Sequence, residues 1–343
     1  MEAMDKPNEM RGKAKKIGLL SRRRCLGEVA RAGLGFALGG MASSAGRASA
    51  EEWPRATESK RPQLGVEIEE FKLREGELVT GVEQEFTVGV QDLEEGITTY
   101  GTNWKPLRWR LFRPENLAGD ARVPLVVFLH GAGEHGADNI SQLKHRQPLM
   151  FVQPEFQVER PCYFLAPQLE QGEAWWVLNE RTPAPGIEML VRALAEVLEK
   201  WPLIDRQRIY GVGLSTGGGG CWDAMCKLPH LLAASLIMGG VHRPYAVRGD
   251  IRSAAWLCYN EREQARVREQ GDAMLEEFAA RGRPSRRSIA LGRRDHSSWE
   301  WAIFQPGMVD WLWRQQLGYR TDQGQQIPPL MNPVFTNRIW MPE

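Results

Sequence analysis

The sequence predicts an α/β domain with a mostly parallel central sheet and helices on both faces. Short continuous apolar runs of strand length recur along the chain, and helical patterns separate them. Two Gly-containing motifs fall where such runs end, at the sheet edge where chemistry is usually built.

The elements follow in order. Residues 51–88 are polar with few periodic apolar positions, and an edge strand is expected near 85–90. Residues 107–112 alternate as a half-buried strand does. The run 124–129, Pro-Leu-Val-Val-Phe-Leu, is apolar throughout, as in a strand covered on both faces. Comparable runs lie at 163–166, 209–212, 233–238, 254–259 and 288–291. Between them, Ile187, Leu190, Val191, Leu194, Val197, Leu198 and Trp201 form one helical face, opened by Pro185 and closed by Pro202. Residues 267–280 and 301–313 are further helix candidates.

Composition narrows the classes. The 343 residues carry 44 Lys+Arg against 43 Asp+Glu, so no basic excess points to a nucleic-acid partner. The first 50 residues are different, with ten basic and four acidic side chains, and they leave a net −5 on the other 293. Residues 21–27, Ser-Arg-Arg-Arg-Cys-Leu-Gly, resemble a twin-arginine export motif, with Arg22 and Arg23 as the pair and Cys25 where Phe is usual. The Gly-rich stretch 32–45 is too short to span a bilayer, which takes about 20 apolar residues. Ala48-Ser49-Ala50 supplies a cleavage site. Residues 1–50 are therefore expected to be an export signal, with a periplasmic or extracellular product and no stable membrane insertion after cleavage. Cys162, Cys221, Cys226 and Cys258 lie in or beside apolar runs and read as buried free thiols.

Gly213-Leu214-Ser215-Thr216-Gly217 is a G-x-S-x-G between a strand and a candidate helix, the setting of a nucleophile elbow. Ser215 is the candidate nucleophile. His130-Gly131-Ala132-Gly133-Glu134 follows the run 124–129. It offers backbone N–H groups, first Ala132 and second Gly131, which with the Thr216 N–H would form an oxyanion hole. His130 reads as structural. Of the histidines beyond Ser215, His230 ends the elbow helix, His242 comes too early, and His296 follows the last strand as a base should. The acid is expected after residues 254–259, with Glu263 favoured and Glu261 second. Asp295 adjoins His296 too closely to meet its ring nitrogen.

Residues 126–139, Val-Val-Phe-Leu-His-Gly-Ala-Gly-Glu-His-Gly-Ala-Asp-Asn, resemble the opening of secreted α/β-hydrolases described as predicted peptidases or phospholipase/carboxylesterase-like esterases. These are related to polyhydroxybutyrate-depolymerase-type esterases. Ala166-Pro167-Gln168, Trp175-Trp176 and residues 205–210 before Gly213-Leu214-Ser215 fit the same pattern, over about residues 100–316. The resemblance implies the α/β-hydrolase fold, no metal or organic cofactor, and domain limits of 51–100 for a lead segment, 101–320 for the hydrolase domain and 321–343 for a tail. Asp295-His296-Ser297-Ser298-Trp299 stands where the family has Gly-His-Asp-Ser-Trp, and Tyr259 to Glu263 where it has His-Gly-x-x-Asp, which puts Glu263 at the acid position. Thr216 replaces a usual Met. The implied activity is that of a secreted serine esterase acting on a small-molecule or polymer-linked ester. A prolyl-oligopeptidase-type serine peptidase and an inactive hydrolase-fold binding protein are the alternatives. Trp175 and Trp176, adjacent in a polar loop, are expected to line a flat substrate pocket.

Overall fold

The computed structural model describes residues 65–317 apart from 81–85, 101–104, 116, 178–181, 245–246 and 248–250. The expected export signal (1–50) and tail (321–343) lie outside the described residues. The strands are β1 (Glu69–Leu73), β2 (Glu94–Thr98), β3 (Leu107–Phe112), β4 (Val123–Leu129), β5 (Tyr163–Gln168), β6 (Ile204–Leu214), β7 (Ala234–Met238), β8 (Ala254–Asn260) and β9 (Ser285–Ala290). The helices are α1 (Pro154–Glu159), α2 (Pro185–Lys200), α3 (Thr216–Lys227), α4 (Ala265–Ala280), α5 (Trp299–Ala302) and α6 (Met308–Trp313).

Among the described residues the strands form one sheet in the order β1-β9-β8-β7-β6-β4-β5-β3-β2. Every pairing from β1 to β5 is parallel, and β3 and β2 run antiparallel at one edge. The two sides of β4 show why its sequence is apolar throughout. Leu125, Val127 and Leu129 pack with α2, α3 and α4, whereas Val126 and Phe128 pack with α5, α6 and the 3-10 segment Gln147–Val152. Each such side chain, fully buried, contributes about 1.5–3 kcal/mol. From β4 the chain goes outward to β5 and then returns to β6 on the other side of β4. The carboxyl ends of β4 and β6 therefore flank a switch point, the place where open α/β sheets bind ligands.

Three expectations need correction. Residues 86–90 form no strand; they lead into a 3-10 turn at Val90–Asp92, and the sheet edges are taken by β1 and β2 instead. Both edge strands are Glu-rich and largely exposed on their outer positions, so they carry no apolar run. The last strand starts at Ser285, not 288. Its polar Arg286 is accommodated because the guanidinium lies over the rings of Phe71, Trp256 and Trp311, 5.0–5.7 Å from their centres. The expected helix 301–313 is two short helices. Pro306 cannot donate a backbone hydrogen bond, and Gly307 adopts φ 77°, so the segment breaks between α5 and α6.

Candidate active site

Ser215 is the single residue between β6 and α3. Its backbone is held at φ 52°, ψ −115°, a region that costs a non-glycine residue roughly 1–3 kcal/mol. The neighbours enforce it. The Ser215 N–H donates to the Met238 carbonyl at the end of β7 (2.8 Å), and its own carbonyl accepts from Gly219 N–H (3.1 Å). A Cβ at Gly213 would lie 2.4 Å from the Gly217 carbonyl oxygen, and one at Gly217 would lie 1.9 Å from that of Leu129. The turn therefore admits side chains at neither position. The result lifts the Ser215 hydroxyl off the sheet, at the amino end of α3. There the first backbone N–H groups, that of Thr216 among them, have no partner within the helix and favour negative charge.

The loop after β4 passes over the serine. A Cβ on Gly131 would stand 3.4 Å from Ser215 Cβ and 2.5 Å from Leu214 Cδ1. Ala132 begins a short 3-10 turn and is exposed. His130 anchors the loop from below. Its Nδ1–H donates to the Gly131 carbonyl (2.7 Å) and its Nε2 accepts from Leu169 N–H (3.0 Å). Burial lowers its pKa to about 4, so the ring is neutral at pH 7, as an accepting Nε2 requires. Gln168, at the end of β5, holds the loop from the side. Its amide donates to the Glu134 carbonyl and to Asp138, and its oxygen accepts from Asn139 N–H (2.6 Å). Glu134 is buried, and burial alone would raise its pKa. Hydrogen bonds and charge from His145 and Lys144 outweigh that and lower it to about 2.

His296 lies in the loop after β9. Its Nε2 accepts from the Ser215 hydroxyl at 2.8 Å, and its Nδ1–H donates to Glu263 Oε2 at 3.0 Å. The carboxylate as sole acceptor at Nδ1 dictates this tautomer. Glu263 follows β8, is buried, and accepts a second bond from Gln264 N–H at 3.1 Å. The two loops are stitched together. Arg262 N–H donates to the Arg293 carbonyl, and Asn260 Nδ2 donates to the Asp295 carbonyl and carboxylate. Asn260 in turn accepts from the Trp301 indole (2.9 Å). Glu261, the second choice for the acid, is exposed and accepts from Gly292 N–H instead. Asp295 is tied to Asn260, Ser297 and Arg293. His230 is exposed near the far end of α3.

The tryptophans separate. Trp175 is 1% exposed, packs edge-on against His130 and closes over Gly220, where a Cβ would meet its own Cβ at 2.7 Å. It is a core side chain, which corrects the expectation that it lines a substrate pocket. Trp176 is half-buried. Its ring lies tilted against that of His242 (centroids 5.6 Å), and its Cδ1 would lie 2.5 Å from a Cβ on Gly219, one helical turn from Ser215. Trp299, which flanks the His296 loop in the sequence, sets its ring edge-on to His296 (5.2 Å) and leans on His145 (5.4 Å). The pairing of His242 with Asp223, buried and described below, escapes the sequence reading.

No family model matches the chain, and no curated protein matches it by sequence. Solved structures do. A thermostable esterase superposes with TM-score 0.62 at 29% identity, over 66% of this chain and 64% of that one. This chain thus spans somewhat less than two thirds of that esterase's length. An acylaminoacyl peptidase of Pyrococcus horikoshii matches at TM-score 0.48 and 15% identity, over 67% of this chain and 43% of the other. A ferulic acid esterase matches at TM-score 0.49 and 13% identity, over 62% and 95%. With the sheet order above, the first of these shows the α/β-hydrolase fold.

Proposed function

We propose that this protein is a serine hydrolase that cleaves carboxylic esters. The observation that carries the reading is the hydrogen-bonded chain from Ser215 through His296 to Glu263, with the serine strained at the amino end of α3 beneath the Gly131 loop. In this reading Ser215 Oγ attacks the ester carbonyl carbon as His296 Nε2 takes its proton. Glu263 orients the ring and stabilises the imidazolium. The oxyanion is held by the N–H groups of Thr216 and Ala132, with Gly131 next in line. Collapse of the tetrahedral adduct expels the alcohol, which leaves with the proton from His296. Water, activated by the same histidine, then attacks the acyl-enzyme and frees the acid and the serine.

The triad serves amides as well as esters, so the leaving group decides between them. An amine must be protonated as it departs, whereas a phenolate or alkoxide needs less help. The half-buried Trp176, against Gly219, and Trp299, against His296, suit a flat ester better than an extended peptide. Likeness to the thermostable esterase supports the same choice. The test is labelling by a fluorophosphonate probe together with turnover of short-chain p-nitrophenyl esters. Both are expected in the wild type and lost in Ser215→Ala. Absence of both in the wild type favours the binding-protein alternative, and faster cleavage of a peptide library than of aryl esters favours the peptidase. Export is part of the proposal: replacing Arg22 and Arg23 by Lys is expected to leave the precursor in the cytoplasm, and unchanged export would sink that assignment.

A further inference from the structure

Behind the serine lies a buried ionic cluster that the reaction above does not use. Asp223, on α3 two turns beyond Ser215, is fully buried, and Lys227 and His242 are 2% and 1% exposed. Lys227 Nζ and His242 Nε2–H both donate to Asp223 Oδ1, the latter at 3.1 Å, and Asp223 Oδ2 accepts from Ala184 N–H at 3.0 Å. Arg243 N–H donates to His242 Nδ1 (2.9 Å), so that nitrogen is the ring's acceptor and Nε2 its donor. The cluster thus holds a carboxylate, an ammonium and an imidazole together out of water. Such a cluster seldom adds net stability over an apolar replacement, and fixing one geometry is the best-attested reason to keep one.

What it fixes is Trp176. Lys227 also reaches the carbonyl of Val177, the next residue (3.4 Å), while Ala184 ends the same connection at the start of α2. The His242 ring, oriented by Asp223 and Arg243, is the surface against which Trp176 rests at a tilt of 56°. One carboxylate therefore acts through Lys227 on the residue next to Trp176, through His242 on the ring beside it, and directly on Ala184 at the start of α2. Trp176 stands against Gly219, whereas Trp299 adjoins His296. His296 must protonate the leaving group, so the leaving group departs along Trp299. The acyl group is then left the Gly219 side, against Trp176.

We infer that Asp223 is a positioning residue that, through Lys227 and His242, sets Trp176 as the wall selecting a planar aromatic acyl group. This rests on the hydrolase reading and deepens it. p-Nitrophenyl acetate and p-nitrophenyl benzoate share a leaving group and differ only in the acyl part, so the ratio of their kcat/KM values reads the wall alone. Trp176→Ala is expected to lower the benzoate-to-acetate ratio roughly three- to tenfold, the worth of one aromatic contact. Asp223→Asn, and Asp223→Asn/Lys227→Met, which removes both charges so that no unpaired ion is left buried, should lower it comparably. Adding Trp176→Ala to the latter should lower it no further. Should neither Asp223 variant fold, His242→Phe keeps a ring under Trp176 without the bond to Asp223 and is expected to show the same fall. A ratio that Trp176→Ala leaves unchanged overturns the wall. A ratio that falls with Trp176→Ala and stays put in the Asp223 or His242 variants overturns the positioning role, as do losses that multiply in the triple variant. Fluorophosphonate labelling of each variant shows whether Ser215 remains reactive. A wild type that neither labels nor turns over either ester sinks the hydrolase reading itself, and this inference with it.

Discussion

Two histidine–carboxylate pairs stand within the same domain, Glu263–His296 and Asp223–His242, with nearly equal separations of 3.0 and 3.1 Å. They differ at the far nitrogen of the ring. In His296 it faces the Ser215 hydroxyl, and the side chain is 32% exposed, open to a substrate. In His242 it is occupied by a backbone N–H, the ring is 1% exposed, and a lysine already neutralises the carboxylate. A carboxylate beside a histidine is therefore no relay by itself. What the second nitrogen meets, and whether water and substrate reach it, decides whether the pair moves protons or holds a shape.

The strongest way to break this contrast is to remove the groups at the exposed pair. Ser215→Ala and His296→Ala should each lower kcat for p-nitrophenyl acetate by several orders of magnitude, because the members act as a unit. A comparable collapse on His242→Gln would erase the distinction. Glu263→Gln should cost less, about 10²- to 10⁴-fold, since the serine and the oxyanion donors remain. Glu261→Gln, whose carboxylate meets only Gly292, should stay within about threefold. The reverse order in steady-state assays would move the acid by two residues.

A smaller effect separates the neighbouring tryptophans. Trp175→Ala should destabilise the fold by about 3–5 kcal/mol in denaturant titration, as for a large ring removed from a core. Trp176→Ala should instead act mainly on KM for esters of aromatic acids such as p-nitrophenyl benzoate. Equal effects on stability would show that both rings belong to the core.

A third histidine extends the comparison at the low end. His130, like His242, has both nitrogens engaged inside the fold. Its pKa falls from 6.5 to about 4, so below pH 6.5 the unfolded chain takes up a proton that the folded one refuses. Stability should decline from pH 6.5 to about 4 by up to about 3 kcal/mol, at roughly 1.4 kcal/mol per pH unit. Glu134, lowered from 4.5 to about 2, stabilises fully above 4.5 and loses its contribution between 4.5 and about 2. Chemical denaturation across pH 7 to 3 checks both, and a flat profile would mean that these groups titrate alike in the folded and unfolded chain.

The sequence announces a strand at β4, where packing on both faces leaves little choice of residue, and at 107–112, where apolar positions alternate. It is silent at β1 and β2, whose edge positions face water, and incomplete at β9, where Arg286 lies over aromatic rings in place of an aliphatic side chain. Ser215 and His296 are legible as candidates from motif and chain order, whereas the offset after β8 leaves Glu263 and Glu261 both open. The side of a loop residue was not legible, because no periodicity acts there, so Trp175 and Trp176 looked alike. Asp223 and Lys227, four apart on a helix, read like an ordinary surface pair. Nothing in their spacing reveals that α3 buries them beneath His242.

The four free cysteines among the described residues bear on how this molecule meets an oxidant. Burial pushes the Cys162 and Cys221 thiols up to about 12, and those of Cys226 and Cys258 higher. Thiolate is the reactive form, so in the closed protein these sulfurs are chemically silent. A thiol reagent can reach them only when the surrounding structure opens. Cys221 would lie 3.0 Å from a Cβ on Gly211, in the seam between the helix that follows Ser215 and the strand that precedes it. Its rate of modification is a clock for the opening of that seam, built into the chain without any added label.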